Sequence, residues 1–303
     1  MIRALVIGAR GQVGSELVGA LDGRAEVVAH DQAGFDLADP DVIRARMREI
    51  GAQLVVNAAA YTAVDRAESE PDIAAAVNAR APGILGEEAR RAGALLVHFS
   101  TDYVFDGTKR SPFVEDDATA PLGVYGRTKL EGERAIAASG CAYVILRTSW
   151  VYAPRGRNFL LAMLALAAKQ REIRVVDDQR GAPTAAAQLA RAVVALFGAT
   201  GARPIEADAL GRVMDSPGLY HATARGETTW FGFAQAIFDA WSRRAGASFT
   251  VPKVLPIPTS EYPTPARRPA YSVLSNAKLE RTFGVRLPEW RQGLDEVLSA
   301  LPG

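Results

Sequence analysis

The chain has 303 residues, a formal net charge of +1 and 23% charged residues, with no long run of one sign. A chain of this length can bury a large core and is expected to form about two compact units. The even mixture of charges argues against nucleic acid or an anionic membrane as the main partner. Cys141 is the only cysteine, so a disulfide within the chain and a cysteine zinc site are both excluded, and we expect this residue to be buried.

The N-terminal segment predicts a strand, a glycine-rich turn and a helix in direct succession. Ile2 to Ile7 is a short apolar run typical of a buried parallel strand. Glycines follow at positions 8, 11 and 14, and a helix-compatible stretch runs from Ser15 to Leu21. Such glycines allow a tight turn, a close backbone approach to a pyrophosphate and close packing of the helix on the strand. Because a helix N-terminus favours anions, the segment predicts a dinucleotide-binding site.

An acidic residue ends the second predicted strand. Val27 to Ala29 is apolar and is followed by His30 and Asp31, about 20 residues past the glycine turn. An aspartate there suits the hydroxyl pair of a nucleotide ribose, and the alternative is an aspartate in a solvated loop. Its carboxylate would repel the 2′-phosphate of NADPH, whereas Arg10 and His30 could still tolerate that phosphate. We therefore expect NADH to be used well and NADPH to some degree.

Strand-like and helix-like segments alternate along the first half of the chain. The predicted strands are Ala4–Ile7, Glu26–His30, Leu54–Ala58, Leu95–Ser100 and Tyr143–Arg147. The predicted helices are Val13–Leu21, Asp41–Ile50, Ala74–Ala92 and Val124–Ala138, the second of them opened by Asp39 and Pro40. This order predicts an α/β fold with a Rossmann-type, doubly wound parallel sheet. Asn57 to Ala60 and Ser100 to Asp102 should then lie on the same sheet edge as the glycine turn, where such sheets bind ligands.

A tyrosine and a lysine four residues apart form the candidate catalytic pair. Tyr125 and Lys129 share one face of a predicted helix. A free tyrosine has a pKa of about 10, and a neighbouring ammonium lowers that pKa by stabilising the phenolate. Such a pair can exchange a proton with a carbinol oxygen. The alternative is an exposed tyrosine and lysine on a surface helix.

The second half of the chain is less regular. Predicted elements are the helix Asn158–Lys169, the strand Glu172–Val176, the helix Ala185–Phe197 and the helix Trp230–Trp241. Residues 198–218 are rich in Gly, Pro and Asp and predict an exposed loop. Residues 252–270 contain six prolines and predict no regular structure. We expect a cofactor domain over residues 1–150, to which segments after residue 180 return, and a smaller, irregular substrate-binding domain over residues 151–303.

The sequence also bears on cellular location and on metal binding. The chain has no apolar stretch of 18 residues and no signal peptide, since Met1 leads straight into the first predicted strand. A cytoplasmic protein without a membrane partner is therefore expected. His30, His98 and His221 are scattered without ligand-like spacing, and His98 lies within an apolar run, so we expect it in or near the core.

These motifs together resemble a known family. The sequence is similar to extended short-chain dehydrogenases/reductases and, within them, to the dTDP-4-dehydrorhamnose reductase family, nearly from end to end. The glycine turn (Gly8–Gly14) and YGRTKLEGE (Tyr125–Glu133) are shared across the superfamily. The more specific strings are NAAAYTAVDRAESEP (Asn57–Pro71), FSTDYVFDG (Phe99–Gly107), RTSWVY (Arg147–Tyr152), DQRGAPT (Asp177–Thr184) and RPAYSVL (Arg268–Leu274).

The resemblance implies reduction of the 4-keto group of dTDP-4-dehydro-L-rhamnose by NADH or NADPH, giving dTDP-L-rhamnose. Tyr125 would protonate the carbonyl oxygen, and Lys129 would lower the pKa of Tyr125 and hydrogen-bond the nicotinamide ribose. Thr101 would donate a hydrogen bond to the same oxygen. Since side chains alternate along a strand, only one of Ser100 and Thr101 can face the site, and the family pattern favours Thr101.

The resemblance also implies the binding residues. The substrate-binding positions are Thr101, Asp102, Tyr103, Trp150 and Arg268. The cofactor-binding positions are Gly8, Gly11, Gln12, Val13, Gly14, Asp31, Asp36, Leu37, Ala60, Tyr61, Thr62, Tyr125 and Lys129. Asn78 resembles a helix-borne asparagine that relays protons or holds the strand beside it, and an asparagine simply packed within a helix is the alternative. For Tyr103 and Trp150 the alternative is ordinary aromatic core.

One departure from the family pattern concerns magnesium. Some members bridge a dimer through magnesium bound by glutamates from several helices. Glu16 matches one of these, but Ala187 and Arg291 stand at the other positions and cannot act as carboxylate ligands. We therefore expect no magnesium site, and a monomer or a weak homodimer.

Two other functions remain open at this point. One is an NDP-sugar epimerase or dehydratase of the same superfamily. Dehydratases use a pair of acid–base carboxylates, whereas Asp102 is followed here by Tyr103, and epimerases retain tightly bound NAD. The other is a non-catalytic regulatory subunit resembling that of methionine adenosyltransferase, which the intact set Thr101, Tyr125 and Lys129 disfavours.

Overall fold

A computed structural model describes residues 1–198, 203–246 and 249–302. The strands of these ranges are, in chain order, β1 (Arg3–Ile7), β2 (Glu26–His30), β3 (Leu54–Asn57), β4 (Leu95–Thr101), β5 (Ala142–Thr148), β6 (Val151–Tyr152), β7 (Glu172–Val176), β8 (Arg180–Gly181), β9 (Thr184–Ala185), β10 (Gly218–His221), β11 (Thr228–Thr229) and β12 (Lys253–Ile257). The α-helices are α1 (Gln12–Leu21), α2 (Pro40–Ile50), α3 (Val64–Ala67), α4 (Pro71–Ala75), α5 (Ala81–Ala92), α6 (Val124–Ser139), α7 (Phe159–Ala167), α8 (Ala186–Leu196), α9 (Ala207–Met214), α10 (Trp230–Ala245), α11 (Ala277–Phe283) and α12 (Trp290–Ser299).

Six strands of the described ranges form one parallel sheet in the order β10-β5-β4-β3-β1-β2. Every residue of β3 and β4 is buried, as expected for strands covered on both faces. Helices α1 and α8 pack on one face, and α2, α5 and α6 pack on the other. The predicted doubly wound α/β fold is confirmed. From β1 the chain adds β2 on one side of the sheet and then β3 on the other. The topological switch point therefore lies between β1 and β3, beside the glycine turn.

A second, smaller core is formed mainly by α7, α10 and α12. Short strand pairs surround it: β7 with β12, β8 with β11, and β6 with β9. Its packing includes Phe233, which lies between Tyr152 and Trp290. The strands of these short pairs lie outside the six-stranded sheet. Among the helices of the described ranges, none combines the length and the apolar character that crossing a bilayer requires.

The predicted strands of the sheet agree with the structure to within one residue at each end, and Asp39 caps α2 by accepting hydrogen bonds from the backbone N–H groups of Asp41 and Val42. The predicted helix over 74–92 is interrupted. A π-helical segment, Ala76–Arg80, separates α4 from α5. Such segments often occur at functional sites, and this one contains Asn78.

Two predictions for the second half were wrong. Within the expected loop over 198–218, α9 forms because Leu210 and Val213 pack against the sheet core, and β10 begins at Gly218. Residues 199–202 of that segment lie outside the described ranges. Within 252–270, β12 forms despite its proline at position 256, because it pairs with β7 alone and an edge strand tolerates proline.

Candidate active site

A cavity of about 970 Å³ opens at the carboxyl ends of β1 to β4. Its size suits a large cofactor, since ligand pockets usually measure about 300–1,000 Å³. The predicted cofactor positions other than Gly14 line this cavity, namely Gly8, Gly11, Gln12, Val13, Asp31, Asp36, Leu37, Ala60, Tyr61, Thr62, Tyr125 and Lys129. The structure therefore brings together residues that are up to 121 positions apart, from Gly8 to Lys129.

The glycine turn is close-packed backbone. Gly8 has φ +83°, and a Cβ there would lie 2.8 Å from the backbone nitrogen of Ala59. Gly14 faces the turn rather than the cavity, because a Cβ on it would lie 2.0 Å from the Gly8 carbonyl oxygen. No side chain caps the start of α1, so its first N–H groups are available to an anion. The turn fits the diphosphate of a dinucleotide.

The rim of the cavity holds exposed ion pairs. Asp31 accepts hydrogen bonds from the backbone N–H groups of Ala33 and Gly34, and its carboxylate pairs with Arg10 at 2.9 Å. The Arg10 side chain is 87% exposed. A second pair, Arg66 with Glu70 at 2.6 Å, lies farther along the rim.

A loop from the second half of the chain closes one side of the cavity. Arg155 donates to the Ser15 hydroxyl at 2.8 Å and pairs with Glu16 at 3.2 Å, while the Asn158 amide donates to Gln12 Oε1 at 2.8 Å. The sequence analysis did not single out residues 153–157 as part of the site. Their Gly and Arg content was a signal for an anion site, but their contact with α1 spans 140 positions and is invisible in local patterns.

Tyr125 lies in the first turn of α6, and a residue from another part of the chain caps that turn. Gly123, the N-cap, has no side chain, and the backbone N–H of Val124 instead donates to Glu68 Oε1 at 2.8 Å. A Cβ on Gly123 would lie 2.5 Å from that oxygen. The Tyr125 ring stands edge-on to Tyr103, with 5.6 Å between centroids. Glu68 therefore takes the place of an N-cap side chain at the start of the helix that carries Tyr125.

Burial controls the acidity of Tyr125. It raises the pKa of the phenol to about 12, and the hydrogen-bonding interaction with the Thr101 hydroxyl only partly opposes this. The expectation that Lys129 lowers the pKa of Tyr125 does not hold in this structure. The Lys129 ammonium, 1% exposed, is instead directed to the Phe99 carbonyl oxygen at 2.7 Å and to His98 Nε2 at 3.1 Å. At neutral pH the phenol is protonated and can donate.

Lys129 is itself perturbed. Burial lowers the pKa of its ammonium to about 8, and the charge of Glu133 one turn further along α6 opposes the shift. Glu133 is in turn held by a bidentate pair with Arg147, with N–O distances of 2.9 and 2.6 Å. Both members of that pair are buried.

Ser100 and Thr101 diverge as the strand alternation predicts. The Ser100 hydroxyl donates to Glu133, although the residue lines the cavity. The Thr101 hydroxyl donates to Asp102 Oδ1 at 3.0 Å and lies within hydrogen-bonding reach of Tyr125. Ser100 lines the cavity and Thr101 does not, although the family pattern favoured Thr101 as the residue that faces the site.

Asp102 is a buried carboxyl group beside this pair. It is 1% exposed, and burial raises its pKa to about 6 against the opposing hydroxyl groups of Ser272 and Thr101. Its Oδ2 atom has no partner of good hydrogen-bond geometry among the described residues. Tyr103, next in the chain, is also largely buried, and burial raises its pKa.

Asn78 clamps the backbone at the cavity wall. Its Oδ1 accepts from the N–H of Tyr61 at 2.8 Å, and its Nδ2 donates to the Tyr61 carbonyl at 3.0 Å and to the Thr128 hydroxyl at 3.3 Å. The structure thus shows Asn78 holding the segment after β3 against α6. This is a positioning contact of the kind the sequence suggested.

Trp150 lies behind the cavity rather than in its lining. It has a positive φ of 48°, and its ring stacks on Trp230 with 3.5 Å between centroids and 6° between planes. Gly181 leaves room for the ring, because a Cβ there would lie 2.5 Å from it. Positive φ at a bulky residue costs about 1–3 kcal/mol, so the stacked partner helps to hold this conformation.

Arg268 is engaged by the protein itself. Its guanidinium forms a bidentate pair with Asp65 at 3.1 and 3.0 Å and donates to Thr264 Oγ1 at 2.6 Å. The Arg268 hydrogen bond lowers the pKa of Asp65. The pair fastens the proline-rich segment to α3, beside Tyr103 and outside the lining of the cavity.

The positions considered for magnesium have other partners. Glu16 pairs with Arg155, and the Arg291 guanidinium lies 4.4 Å above the Trp290 ring. In the ranges 1–198, 203–246 and 249–302, no group of three or more His, Cys, Asp and Glu side chains is arranged to hold a metal ion.

Known proteins with similar sequences and structures point in one direction. The model of the RmlD substrate binding domain family matches residues 2–302. A dTDP-4-dehydrorhamnose reductase from Burkholderia thailandensis is 47% identical over 293 residues, 96% of this chain and 96% of the relative. A solved dTDP-4-dehydrorhamnose reductase from Clostridium acetobutylicum has 36% identity and a TM-score of 0.88, covering 98% of this chain and 99% of that chain. One from Bacillus anthracis, in complex with NADP, has 31% identity and a TM-score of 0.86, with the same coverage.

Proposed function

The chain belongs to the RmlD substrate binding domain family, and on that premise we propose that it reduces the 4-keto group of dTDP-4-dehydro-L-rhamnose to dTDP-L-rhamnose with NADH or NADPH. It is an oxidoreductase with a nicotinamide cofactor, as its relatives are. The observation that supports this reaction most is the meeting of Tyr125, Lys129 and the glycine turn in one cavity. A dTDP-sugar is the proposed partner.

The proposed chemistry assigns the proton to Tyr125. A bound nicotinamide cofactor supplies the hydride. Because burial holds the pKa of Tyr125 at about 12, the phenol keeps its proton at neutral pH until a carbonyl oxygen develops negative charge. Thr101, within hydrogen-bonding reach of the phenol, would donate to the same oxygen in place of its donation to Asp102. Lys129 holds the inner wall of the cavity in place through Phe99 and is available to a ribose hydroxyl.

The cofactor site is proposed to run from the glycine turn to Tyr125. Gly8, Gly11 and the N-terminus of α1 would hold the diphosphate, and Asp31 would face the adenosine ribose. Gln12, Val13, Asp36, Leu37 and residues 60–62 would line the rest of the site. Arg155, beside Ser15 and unforeseen from the sequence, adds a cation close to the start of α1.

The sugar nucleotide is proposed to lie between the two cores. Asp102, Tyr103, Trp150 and Arg268 would surround it on the side of Tyr125 away from the cofactor cavity. In this division residues 1–150, with α8, α9, β10 and α11, would form the cofactor domain, and the rest of the segment 151–303 would form mainly the substrate domain. The unpartnered Oδ2 of Asp102 is suited to receive a sugar hydroxyl.

The test is NAD(P)H oxidation on a panel of dTDP- and UDP-linked 4-keto-6-deoxy sugars. We expect turnover with dTDP-4-dehydro-L-rhamnose, loss of absorbance at the nicotinamide band and formation of dTDP-L-rhamnose. Purification with NAD already bound and no net oxidation of added NAD(P)H would instead indicate an epimerase. Failure to turn over any of these sugars, by a folded protein that binds NADPH, would contradict the proposal.

A further inference from the structure

A fully buried chain of hydrogen bonds runs from β3 across β4 to Lys129. The Asn57 amide nitrogen lies 3.1 Å from His98 Nδ1, and His98 Nε2 lies 3.1 Å from Lys129 Nζ. Asn57 and His98 are both 0% exposed. The register of β3 and β4 places these two residues side by side. None of the described contacts at the cavity requires a histidine at position 98, so these hydrogen bonds have no role in the site as described above.

The direction of these hydrogen bonds is fixed at the Asn57 end. The backbone N–H of Ala59 donates to Asn57 Oδ1 at 3.1 Å, so the amide nitrogen must be the atom that faces His98. An amide nitrogen only donates, so His98 Nδ1 accepts and the ring proton lies on Nε2. That proton points at Lys129 Nζ, which can accept it only as a neutral amine.

The protonated form of Lys129 conflicts with this direction. An ammonium has no lone pair, so His98 Nε2 would have to accept from it. Adding one proton to the neutral amine state therefore moves the Nε2 proton of His98 onto Lys129 Nζ. The added proton is then carried by His98 Nδ1. That Nδ1 proton faces the donor nitrogen of Asn57, leaving a buried donor without an acceptor. The neutral amine state has no such conflict, because Nζ still donates to the Phe99 carbonyl oxygen.

We propose that Asn57 and His98 are positioning residues which, through the direction of their hydrogen bonds, hold Lys129 towards its neutral amine. The proposal deepens the proposed function, on which its catalytic consequence rests, since Lys129 adjoins the proton donor. It agrees with the neutral state of His98 itself, whose pKa is held well below its usual range by burial and by Lys129.

Other groups that face Lys129 act on its charge as well. Glu133 on the same helix favours the ammonium, although Arg147 of β5 neutralises much of the Glu133 charge. Tyr125, one turn earlier on α6, lines the same cavity and is protonated at neutral pH. Arg155 is farther out, at the rim. The contribution of Asn57 and His98 must therefore be measured as a difference between variants.

The first measurement is made on the protein labelled with ¹⁵N-histidine and ¹³C-lysine, without substrate or cofactor. Ring ¹⁵N chemical shifts should show His98 in the Nε2–H form at pH 9.5. As the pH is lowered, this form should disappear at the same midpoint at which the Lys129 Cε shift reports protonation of the amine, near pH 8. The three histidines are assigned by single substitution of His30 and His221. A His98 ring protonated on Nδ1 at pH 9.5 would overturn the proposal.

The second measurement uses a variant in which the donor and acceptor roles between residue 57 and His98 are reversed. In Asn57→Asp a carboxylate accepts from both Ala59 N–H and His98 Nδ1–H, which removes the conflict, so the Lys129 midpoint should rise by about one pH unit or more. Because the new charge also acts through space, the same change is made in a His98→Phe background, where the rise should fall by at least half. An equal rise in both backgrounds would overturn the proposal.

These titrations need no turnover, so they are independent of the proposed reaction. If Tyr125→Phe remained active, the reaction assignment would fail while the hydrogen-bond chain could still stand. In the active enzyme, Asn57→Asp should move the alkaline limb of the kcat/KM profile by the same amount as the Lys129 midpoint, with the Kd for NADPH changed less than threefold. An unmoved limb beside a shifted midpoint would refute the catalytic consequence alone.

Discussion

The two ends of the cavity carry charge in different ways. At the inner end, beside Tyr125, the ionisable groups Lys129 and Glu133 are buried and hydrogen-bonded, Lys129 to the Phe99 carbonyl oxygen and Glu133 to the Ser100 hydroxyl. At the outer end, formed by Arg10, Asp31, Arg66, Glu70 and Arg155, they form exposed ion pairs. Exposed pairs contribute about 0–1 kcal/mol each and are screened by salt, whereas a buried charge without its partner costs several kcal/mol. The inner end therefore fixes chemistry and stability, and the outer end adjusts affinity.

The largest effect is expected at the inner end, on turnover. Tyr125→Phe should lower kcat by about 10²–10⁴, the usual contribution of a positioned acid, because the proton donor is lost. The Kd for NADPH, measured by fluorescence titration, should stay nearly unchanged. Tyr143→Phe, on β5 and outside the cavity lining, is the matched control and should keep full turnover. A Tyr125→Phe enzyme within a factor of three of the original would remove Tyr125 from the mechanism.

The next effect is on stability. Arg147→Met leaves Glu133 buried without its cation and should destabilise the protein by about 3–5 kcal/mol in chemical denaturation. Replacing both members, with Arg147→Met and Glu133→Leu, should recover most of this loss because no buried charge remains. The exposed pair supplies the contrast: Arg10→Gln should change stability by less than about 1 kcal/mol. Equal losses in Arg147→Met and Arg10→Gln would erase the distinction between the two ends.

The ion pair of Arg268 with Asp65 is intermediate in burial between the two ends of the cavity. If the Arg268 guanidinium also holds the diphosphate of the sugar nucleotide, Arg268→Ala should raise the KM for that substrate by about tenfold, since each 1.4 kcal/mol of lost binding is tenfold. The KM for NADH should not change. Asp65→Asn breaks the same ion pair but keeps the arginine, so it should leave the sugar-nucleotide KM near its original value. Matching KM increases in both variants would mean that Arg268 only fastens the proline-rich segment.

The smallest effect is expected at the outer end. Asp31→Asn keeps an oxygen to accept from Ala33 and Gly34 but removes the charge that repels a 2′-phosphate, and it releases Arg10 to meet that phosphate. The ratio of kcat/KM for NADPH over NADH should rise by up to about tenfold, or about 1.4 kcal/mol, and less at high salt. A native preference for NADPH beyond tenfold would show that Arg10 already outweighs Asp31. An unaltered ratio in Asp31→Asn would place the ribose elsewhere.

Local patterns were enough to predict much of the sheet region. The glycines at 8, 11 and 14 and the spacing of Tyr125 and Lys129 depend on neighbours within one turn, and the structure gathers all of these except Gly14 in the lining of one cavity. Alternation along a strand predicted that Ser100 and Thr101 face opposite ways, and the family pattern favoured Thr101. The family strings supplied the rest of the site, and the roles of its individual residues stay predictions.

What the sequence could not show depends on partners far along the chain. Residues 155–157 reach the cavity only because Arg155 and Asn158 dock on α1, and α9 forms because the sheet offers an apolar face to cover. The pKa of Tyr125 was expected to fall, but the direction of the Lys129 amine is decided by Phe99 and His98 on β4. A spacing of four residues establishes that two side chains share a face, and it does not determine what each one contacts.

The stacked indoles of Trp150 and Trp230 give the protein an intrinsic optical signal. Their rings lie parallel at a distance where the electronic transitions of two chromophores couple, which should produce a paired signal of opposite signs in near-ultraviolet circular dichroism. Trp150 follows β5 of the six-stranded sheet, whereas Trp230 opens α10 in the smaller core. The signal therefore reports whether the two cores are docked on each other. It can be followed without any label while substrate is added or the temperature is raised.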